Sequence, residues 1–190
     1  FCGGGSDLPS FYRQHGGAVV SMAITRYVYL GMHEYFEGDG YLLKYSQTEN
    51  VRSVDDIKHR ILREVFRETG IRGVDFNSSA DVPAGTGLGS SSAFTVGLLN
   101  LCNAYLGRYE SRDRLAERAC EIELEKLGEP IGKQDQYGCA LGGLNFIRFH
   151  PDDSVTFEAI AIGQDMRRQL ESSLVMFYLC LLYTSPSPRD

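Results

Sequence analysis

The residues best suited to chemistry form a glycine- and serine-rich loop, Pro83–Ser92, between a predicted strand and a predicted helix. Glycines at alternating positions allow backbone N–H groups to approach an anion closely, and the helix start adds free N–H groups and partial positive charge. Three consecutive serines add hydroxyls that cap a helix, bind phosphate oxygens or ligate hydrated Mg²⁺. The pattern predicts a phosphate-binding loop, and the alternative is a Gly/Ser turn that only caps the helix.

The sequence does not match the motifs of two other kinds of phosphate-binding loop. A Walker A loop needs Gly-Lys followed by Ser or Thr, and the chain's Gly132-Lys133 pair is followed by Gln134. The run Gly85–Gly89 does not have the GxGxxG spacing of a dinucleotide fold.

A carboxylate opposite the loop serines is expected to hold the metal, and a predicted helix from Arg112 to about Leu127 offers four glutamates. Glu123 follows three small residues at helical spacing, Ala116, Ala119 and Cys120. It therefore projects from the apolar face, whereas Glu121 lies on a charged face. Because a buried carboxylate needs a partner, Glu123 is the predicted metal ligand. The alternatives are an ion pair with a buried arginine or a half-exposed position.

Asp135 follows a loop bounded by glycines, Gly128–Gly132, which predicts that it lies at a cleft. There it would act as a base or an orienting acceptor for a hydroxyl group. The alternative is an aspartate that caps the next turn. Lys133 would neutralise a phosphate of the substrate or nucleotide, or would be an ordinary exposed lysine.

The N-terminal cluster Gly3-Gly4-Gly5 allows a tight turn, and Asp7 offers two acceptor oxygens suited to adjacent sugar hydroxyls. The alternative for Asp7 is an Asx-type backbone bond before Pro9. The four histidines show no spacing typical of metal ligands.

Hydrophobic patterning predicts an α+β fold rather than a purely parallel βαβ series, because helices are mixed with hairpin strands. The predicted strands include a hairpin joining 18–36 to 41–45, a short strand at 74–77, strands at 144–149 and 155–162, and a buried strand at 174–178. The predicted helices run from Ser53 to Gly70, from Ser90 or Ser91 to before Gly107, and from Arg112 to about Leu127.

Composition limits the function classes. The chain has 190 residues, 43% of them hydrophobic, and a formal net charge of -6, without the basic stripe that binds nucleic acid. No apolar run approaches the length of a membrane span, and no secretory signal precedes the glycine cluster, so a cytoplasmic location without a membrane partner is expected. Five scattered cysteines suggest neither a disulfide framework nor a zinc site. The sequence indicates no oligomeric state.

Three motifs in order resemble the GHMP small-molecule kinases: PxxxGLGSSSA in the loop, FCGGGSDLP at the start and GKQDQY from Gly132 to Tyr137. The last two resemble the sugar-kinase branch that acts on heptose 7-phosphate. The resemblance implies a two-layer N-terminal kinase domain of the ribosomal protein S5 domain 2-like type. It also implies ATP and Mg²⁺ as cofactors and phosphoryl transfer to a hydroxyl of a sugar or sugar phosphate, with position 1 of D-glycero-D-manno-heptose 7-phosphate preferred.

By this resemblance Ser91 and Glu123 would hold Mg²⁺, Asp135 would be catalytic, and Gly5, Asp7 and Lys133 would bind substrate. Eight loop residues would bind the nucleotide: Pro83, Gly85, Gly87, Leu88, Gly89, Ser90, Ser91 and Ser92. The alternatives are a non-catalytic nucleotide- and sugar-binding sensor, or a kinase for fucose, galactose or a mevalonate-type substrate.

The resemblance is incomplete at both ends. The expected domains are a nucleotide-binding domain at 1–178, lacking its first strand, and a non-native tail at 179–190, for which the alternative is a natural flexible terminus rich in Ser and Pro. The basic residue that precedes the glycine cluster in the family, and its C-terminal domain, are expected to be missing, so the chain alone is expected to be inactive.

Overall fold

This computed structural model describes residues 3–83 and 85–175. Along these residues, helices and strands alternate without a regular order. The helices are α1 (Pro9–His15), α2 (Arg60–Thr69), α3 (Ser90–Tyr105), α4 (Arg112–Cys120), α5 (Gln134–Leu141) and α6 (Gln164–Ser173). The strands are β1 (Gly17–Met22), β2 (Val28–Glu34), β3 (Tyr41–Lys44), β4 (Thr48–Val51), β5 (Val74–Ala80), β6 (Leu144–Phe149) and β7 (Val155–Ala159). A 3₁₀ turn, Val54–Asp56, precedes α2, and a π-helical segment, Glu121–Lys126, continues α4.

The strands form two sheets, in the orders β1-β6-β7 and β2-β5-β3-β4. Neighbouring strands are antiparallel except β3 and β5, which run parallel. Helices α2, α3 and α4 share one apolar core with the four-stranded sheet, while α1, α4 and α5 share another with the three-stranded sheet. The expected α+β class is confirmed.

The predicted hairpin from 18–36 to 41–45 is wrong. The first segment contains two strands in different sheets, and β5 lies between β2 and β3. The carbonyl of Gly73 accepts from Tyr35 N–H, and the carbonyl of Gly40 accepts from Val74 N–H at 3.2 Å. A strand more than thirty residues further along the chain therefore occupies the position that a local hairpin would have filled. The true hairpin joins β3 to β4.

Helix α2 begins later than predicted because the chain is extended at Ile57 and His59. Ser53 caps only the short 3₁₀ turn, accepting from Asp55 N–H. The buried carboxylate of Glu49 then accepts from the N–H groups of Lys58 at 2.7 Å and His59 at 3.2 Å. Gly70 ends α2 in the left-handed conformation, as predicted.

Helix α3 lies where it was predicted. The helix predicted from Arg112 to about Leu127 is formed by α4 and, from Glu121 to Lys126, by the π-helical segment that continues it. Strand β7 ends at Ala159, three residues earlier than predicted. The predicted buried strand at 174–178 is wrong at its start: Leu174 and Val175 follow α6, are exposed and belong to no strand. Its last three residues, and the predicted tail at 179–190, lie outside the described residues.

Within the described ranges, no helix is long and apolar enough to cross a membrane.

Glu49 offers a test of how α2 is held. Burial alone would raise the pKa of this carboxyl, but hydrogen bonds from Lys58 N–H, the Tyr45 hydroxyl and His59 N–H bring it below its ordinary value. A lowered native pKa contributes stability above the unfolded pKa and is lost as pH falls through the native pKa. We expect Glu49→Gln to lower the free energy of unfolding by about 1–3 kcal/mol at pH 7.

Urea unfolding at pH 7 and at pH 3–4 checks this expectation, with the exposed Glu125→Gln as the matched control. The difference between wild type and Glu49→Gln should narrow at the lower pH, because the contribution of the wild-type carboxylate decreases as the pH falls below the unfolded pKa toward the lowered native pKa. A loss of equal size at both pH values would contradict the electrostatic account.

Candidate functional site

The loop before α3 has alternating left-handed glycines. Gly85, Gly87 and Gly89 have φ angles of 76°, 71° and 72°, a backbone region that L side chains rarely adopt. Gly89 is the N-cap of α3, and no described side chain caps this helix. The N–H groups of its first turn are therefore available to an anion, which agrees with a phosphate loop better than with a turn that only caps the helix.

The π-helical segment after α4 carries Glu123, which is only 1% exposed. Its Oε1 accepts from the hydroxyls of Ser91 and Thr95, both at 2.9 Å. Its Oε2 accepts from the Ser92 hydroxyl at 2.9 Å and from Gln136 Nε2 at 2.5 Å. The two loop serines thus bind a buried carboxylate on a neighbouring element rather than the amides of their own helix.

The burial predicted for Glu123 is confirmed, and both alternatives to it are wrong. Arg118 is the nearby buried arginine, but it donates to Glu68 at 2.6 Å and to Glu110 at 2.6 Å. The partners of Glu123 are four neutral donors. No cation among the described residues is therefore paired with Glu123.

The residues around Glu123 fit Mg²⁺. This ion prefers oxygen ligands at about 2.0–2.1 Å in an octahedron, so adjacent ligand atoms lie about 3.0 Å apart. Ser91 Oγ and Glu123 Oε1 are 2.9 Å apart. Mg²⁺ also binds through one or two carboxylates while keeping waters and substrate phosphates, so it does not need a larger acidic cluster. The described part of the chain contains no group of three His, Cys, Asp or Glu side chains that could hold a metal.

Asp135 lies in the first turn of α5, a helix that the sequence analysis missed, and packs near the loop. A Cβ atom built on Gly89 would lie 3.6 Å from Asp135 Cγ. Burial and the negative charges of Asp7 and Glu123 raise the pKa of Asp135, although a hydrogen bond from Gln134 opposes them. The structure thus brings a carboxyl with raised proton affinity to the edge of the phosphate loop.

Asp7 is buried, at 3% exposure, and joins two backbone segments. Its Oδ1 accepts from Gly5 N–H, two residues before it, at 3.1 Å, and its Oδ2 accepts from Gln134 N–H at 3.1 Å. Gly5 has a φ angle of 87°, so the turn requires a glycine there. Asp7 therefore attaches the N-terminal turn to the start of α5, one residue from Asp135.

Lys133 is directed away from the loop. Its Nζ donates to the Asp153 carbonyl at 2.9 Å and lies 5.1 Å from the centre of the Tyr12 ring. The structure therefore does not bring Lys133 together with the other candidate residues.

Two cavities lie on either side of the α3 N-terminus. The first, of about 520 Å³, has Ser91 and Glu123 in its wall together with His59 and Lys58 from the start of α2. The second, of about 750 Å³, is lined by the loop glycines, β1, Asp135 and the β1–β2 connection. The helix start is therefore reachable from both sides, with the carboxylate pair Glu123 and Asp135 divided between the two cavities.

Sequence reasoning missed Thr95 and Gln136. Thr95 lies four residues after Ser91, so helical spacing on α3 was a signal that could have found it. Gln136 is fully buried, and its amide nitrogen faces Glu123 because a carboxylate only accepts hydrogen bonds. Gln136 could have been found in the sequence only if α5, the helix that contains it, had been predicted. Thr86 Oγ1 and Gln136 Oε1 are buried without a partner among the described residues.

Comparison with known proteins agrees with this geometry. Residues 56–143, which contain the loop, Glu123 and Asp135, match the family model of the GHMP kinases N terminal domain. The chain is 28% identical over 194 residues to a D-glycero-alpha-D-manno-heptose 7-phosphate kinase of Campylobacter jejuni, covering 93% of this chain and 56% of the relative. It is 33% identical over 156 residues to a homoserine kinase of Clostridium beijerinckii, covering 80% of this chain and 48% of that protein.

Among solved structures, the fold is similar to a D-glycero-D-manno-heptose 1-phosphate kinase from Bacteroides thetaiotaomicron. The TM-score is 0.82 at 26% identity, over 90% of this chain and 60% of that one. The chain therefore spans about half to three fifths of the length of these relatives.

The contact between Asp7 and α5 predicts a steric requirement at Gly132. A Cβ atom there would lie 1.8 Å from Asp7 Oδ2, so Gly132→Ala must displace Asp7 or the start of α5. We expect a loss of about 2 kcal/mol or more in the free energy of unfolding, because an overlap with a buried, hydrogen-bonded group cannot relax locally. Chemical denaturation measures it, with Gly163→Ala as control, since a Cβ atom at Gly163 meets nothing within 4 Å. Equal stability of the two variants would contradict the described packing.

Proposed function

Residues 56–143 of this chain match the N-terminal domain of the GHMP kinases, and we propose from that premise that the protein binds ATP with Mg²⁺ for phosphoryl transfer to a hydroxyl of a sugar or sugar phosphate. The observation that carries the proposal is the buried Glu123 carboxylate, bound to serines of an uncapped helix start that follows a glycine loop. Phosphoryl transfer needs a phosphate cradle, charge neutralisation and an oriented acceptor.

The cradle is the loop and the first turn of α3. The N–H groups after Gly85, Gly87 and Gly89 and those of the helix start would donate to phosphate oxygens. The Thr86 hydroxyl, which has no partner among the described residues, would add a donor. We assign nucleotide binding to Pro83, Gly85, Gly87, Leu88, Gly89, Ser90, Ser91 and Ser92, with the rest of the nucleotide in the cavity beside His59 and Lys58.

Ser91 and Glu123 would hold Mg²⁺, which when bound spreads the negative charge that develops on the phosphates. Three residues donate a hydroxyl hydrogen bond to Glu123, and of these Ser91 also lines the cavity proposed for the nucleotide. Its hydroxyl can exchange donation to Glu123 for coordination through its lone pairs. Thr95, Ser92 and Gln136 would keep the carboxylate oriented during that exchange.

Asp135 would orient or deprotonate the attacking hydroxyl. Its position beside Gly89 puts the carboxylate at the loop from the side of the second cavity, and its raised pKa makes it a better proton acceptor than an exposed aspartate. Asp7, through Gln134 N–H, fixes the start of α5 and with it the Asp135 backbone. We propose that Asp7 and Gly5 lie at the substrate end of the site. We do not assign substrate binding to Lys133, because its ammonium group donates to the Asp153 carbonyl.

For the acceptor we propose D-glycero-D-manno-heptose 7-phosphate, phosphorylated at position 1. The names of two relatives support a heptose phosphate: one is a heptose 7-phosphate kinase and the other a heptose 1-phosphate kinase. We propose that residues 1–178 form the nucleotide-binding half of a cytoplasmic enzyme.

The direct test is ADP release by the full-length gene product with ATP and Mg²⁺, offered heptose 7-phosphate, fucose, galactose and mevalonate. We expect turnover on the heptose phosphate. ATP and sugar binding without ADP release from any acceptor would favour the non-catalytic sensor.

The role of Asp135 is tested by Asp135→Asn in the same assay. This variant should lower kcat by about 10²–10⁴-fold with little change in nucleotide affinity, because it removes a proton acceptor and leaves the N–H donors that bind phosphate in place. Wild-type turnover in Asp135→Asn would remove Asp135 from the mechanism.

The metal assignment predicts a selective effect of Ser91→Ala. Calorimetry should show a larger loss of affinity for Mg²⁺-ATP, on the order of tenfold, than for ATP with the metal chelated, because only the metal complex uses the Ser91 hydroxyl as a ligand. Ser79→Ala on β5, an exposed serine that lines neither cavity, is the control. Equal losses for the two forms of the nucleotide would contradict the assignment.

A further inference from the structure

The second cavity contains a cation that the proposed mechanism does not use. Of the described residues that line it, only two are charged: Asp135 at the phosphate loop and Arg26 in the connection between β1 and β2. Arg26 is exposed and has no carboxylate partner within ion-pair distance in the described part of the chain. Lys133, the cation that the sequence had suggested for a phosphate, is bound to Asp153 instead.

The backbone around Arg26 is fixed, although none of the described residues forms a hydrogen bond or ion pair with its side chain. Tyr27 N–H donates to Asp81 Oδ2 at 3.0 Å, and the Tyr27 carbonyl accepts from Asp81 N–H at 2.9 Å. Ala23 N–H donates to the Gly143 carbonyl at 2.8 Å, which fixes the other end of the connection. A guanidinium on a fixed backbone loses less freedom on binding than one on a loose loop, so the position is suited to hold a ligand.

We propose that Arg26 binds the phosphate monoester of a phosphorylated acceptor while Asp135 engages the acceptor's reacting hydroxyl. This rests on the proposed function, and it specifies the acceptor as one that carries a phosphate before transfer. A guanidinium offers paired N–H donors that match phosphate oxygens, and Arg26 is the one cation among the described residues that line this cavity. We assign the phosphate to the acceptor because Arg26 lines the same cavity as Asp135, the residue proposed to engage the acceptor's hydroxyl. The loop residues Gly87–Ser90, assigned to the nucleotide, also line this cavity, so ATP binding is measured beside acceptor binding.

The first measurement is equilibrium binding, which does not depend on turnover. Calorimetry compares heptose 7-phosphate, unphosphorylated heptose and ATP, each with wild type, Arg26→Gln and Arg26→Lys. The control is Arg108→Gln, an exposed arginine that lies outside both cavities. We expect Arg26→Gln to weaken heptose 7-phosphate binding about ten- to a hundredfold, to leave the other two ligands unchanged, and to be partly rescued by Arg26→Lys, which keeps the charge without the paired donors.

The second measurement is steady-state turnover with the same variants. We expect the KM for heptose 7-phosphate to rise in Arg26→Gln with a smaller change in kcat, because the contact binds ground state and transition state alike. Loss of ATP affinity with acceptor affinity unchanged would overturn the proposal in favour of the nucleotide as the source of the phosphate. Unchanged binding of all three ligands would overturn it altogether. Arg26-dependent binding of the sugar phosphate without ADP release would support this subsite while contradicting the kinase proposal.

Discussion

The site depends on the burial of the Glu123 carboxylate without a counter-cation. Taking a carboxylate out of water is costly unless its oxygens are hydrogen-bonded, and here four neutral donors supply those bonds. Three donors come from α3 and one from α5, while the acceptor comes from the segment after α4. A single charged group therefore fixes the relative positions of three helices and of the loop that leads into one of them.

The π-helical segment that carries Glu123 is itself held from outside the site. Lys126 donates to Glu68 on α2, whose other carboxylate oxygen binds Arg118, and Arg60 at the start of α2 donates to Glu129 beyond the segment. A π-helical stretch inside a helix is uncommon and is often found at functional sites. These contacts join the segment that carries Glu123 to α2, so α2 packs behind the carboxylate that α3 and α5 bind.

Local signals predicted the parts of this site that depend on short-range spacing. The position of Glu123 on a buried face followed from its distance to Ala116, Ala119 and Cys120, and the helix start after Gly89 followed from the glycine-serine pattern. Gln136 was missed because the short helix α5 has little periodicity and contains Gly138. The insertion of β5 between β2 and β3 was missed because a local hairpin signal cannot indicate a partner that lies far along the chain.

Contacts between residues that are distant along the chain also decide where the side chains of Lys133 and Arg26 lie. Lys133 adjoins the catalytic candidate in sequence, yet its ammonium group reaches Asp153 in the turn between β6 and β7. Arg26 is distant in sequence from every motif, yet the antiparallel pairing of β2 with β5 brings its neighbour Tyr27 to Asp81, just before the phosphate loop. Which cations face a cleft is decided by such tertiary contacts and not by the residues beside them.

The measurement that tests the central claim most directly is a crystal structure of the protein with Mg²⁺ and a non-hydrolysable ATP analogue. The account predicts phosphates on the N–H groups of Gly85–Ser92, with the metal bound by Ser91 Oγ and Glu123. It also predicts that Thr95, Ser92 and Gln136 keep their hydrogen bonds to that carboxylate. A nucleotide bound away from the α3 N-terminus, or a metal ion bound without Glu123, would contradict it.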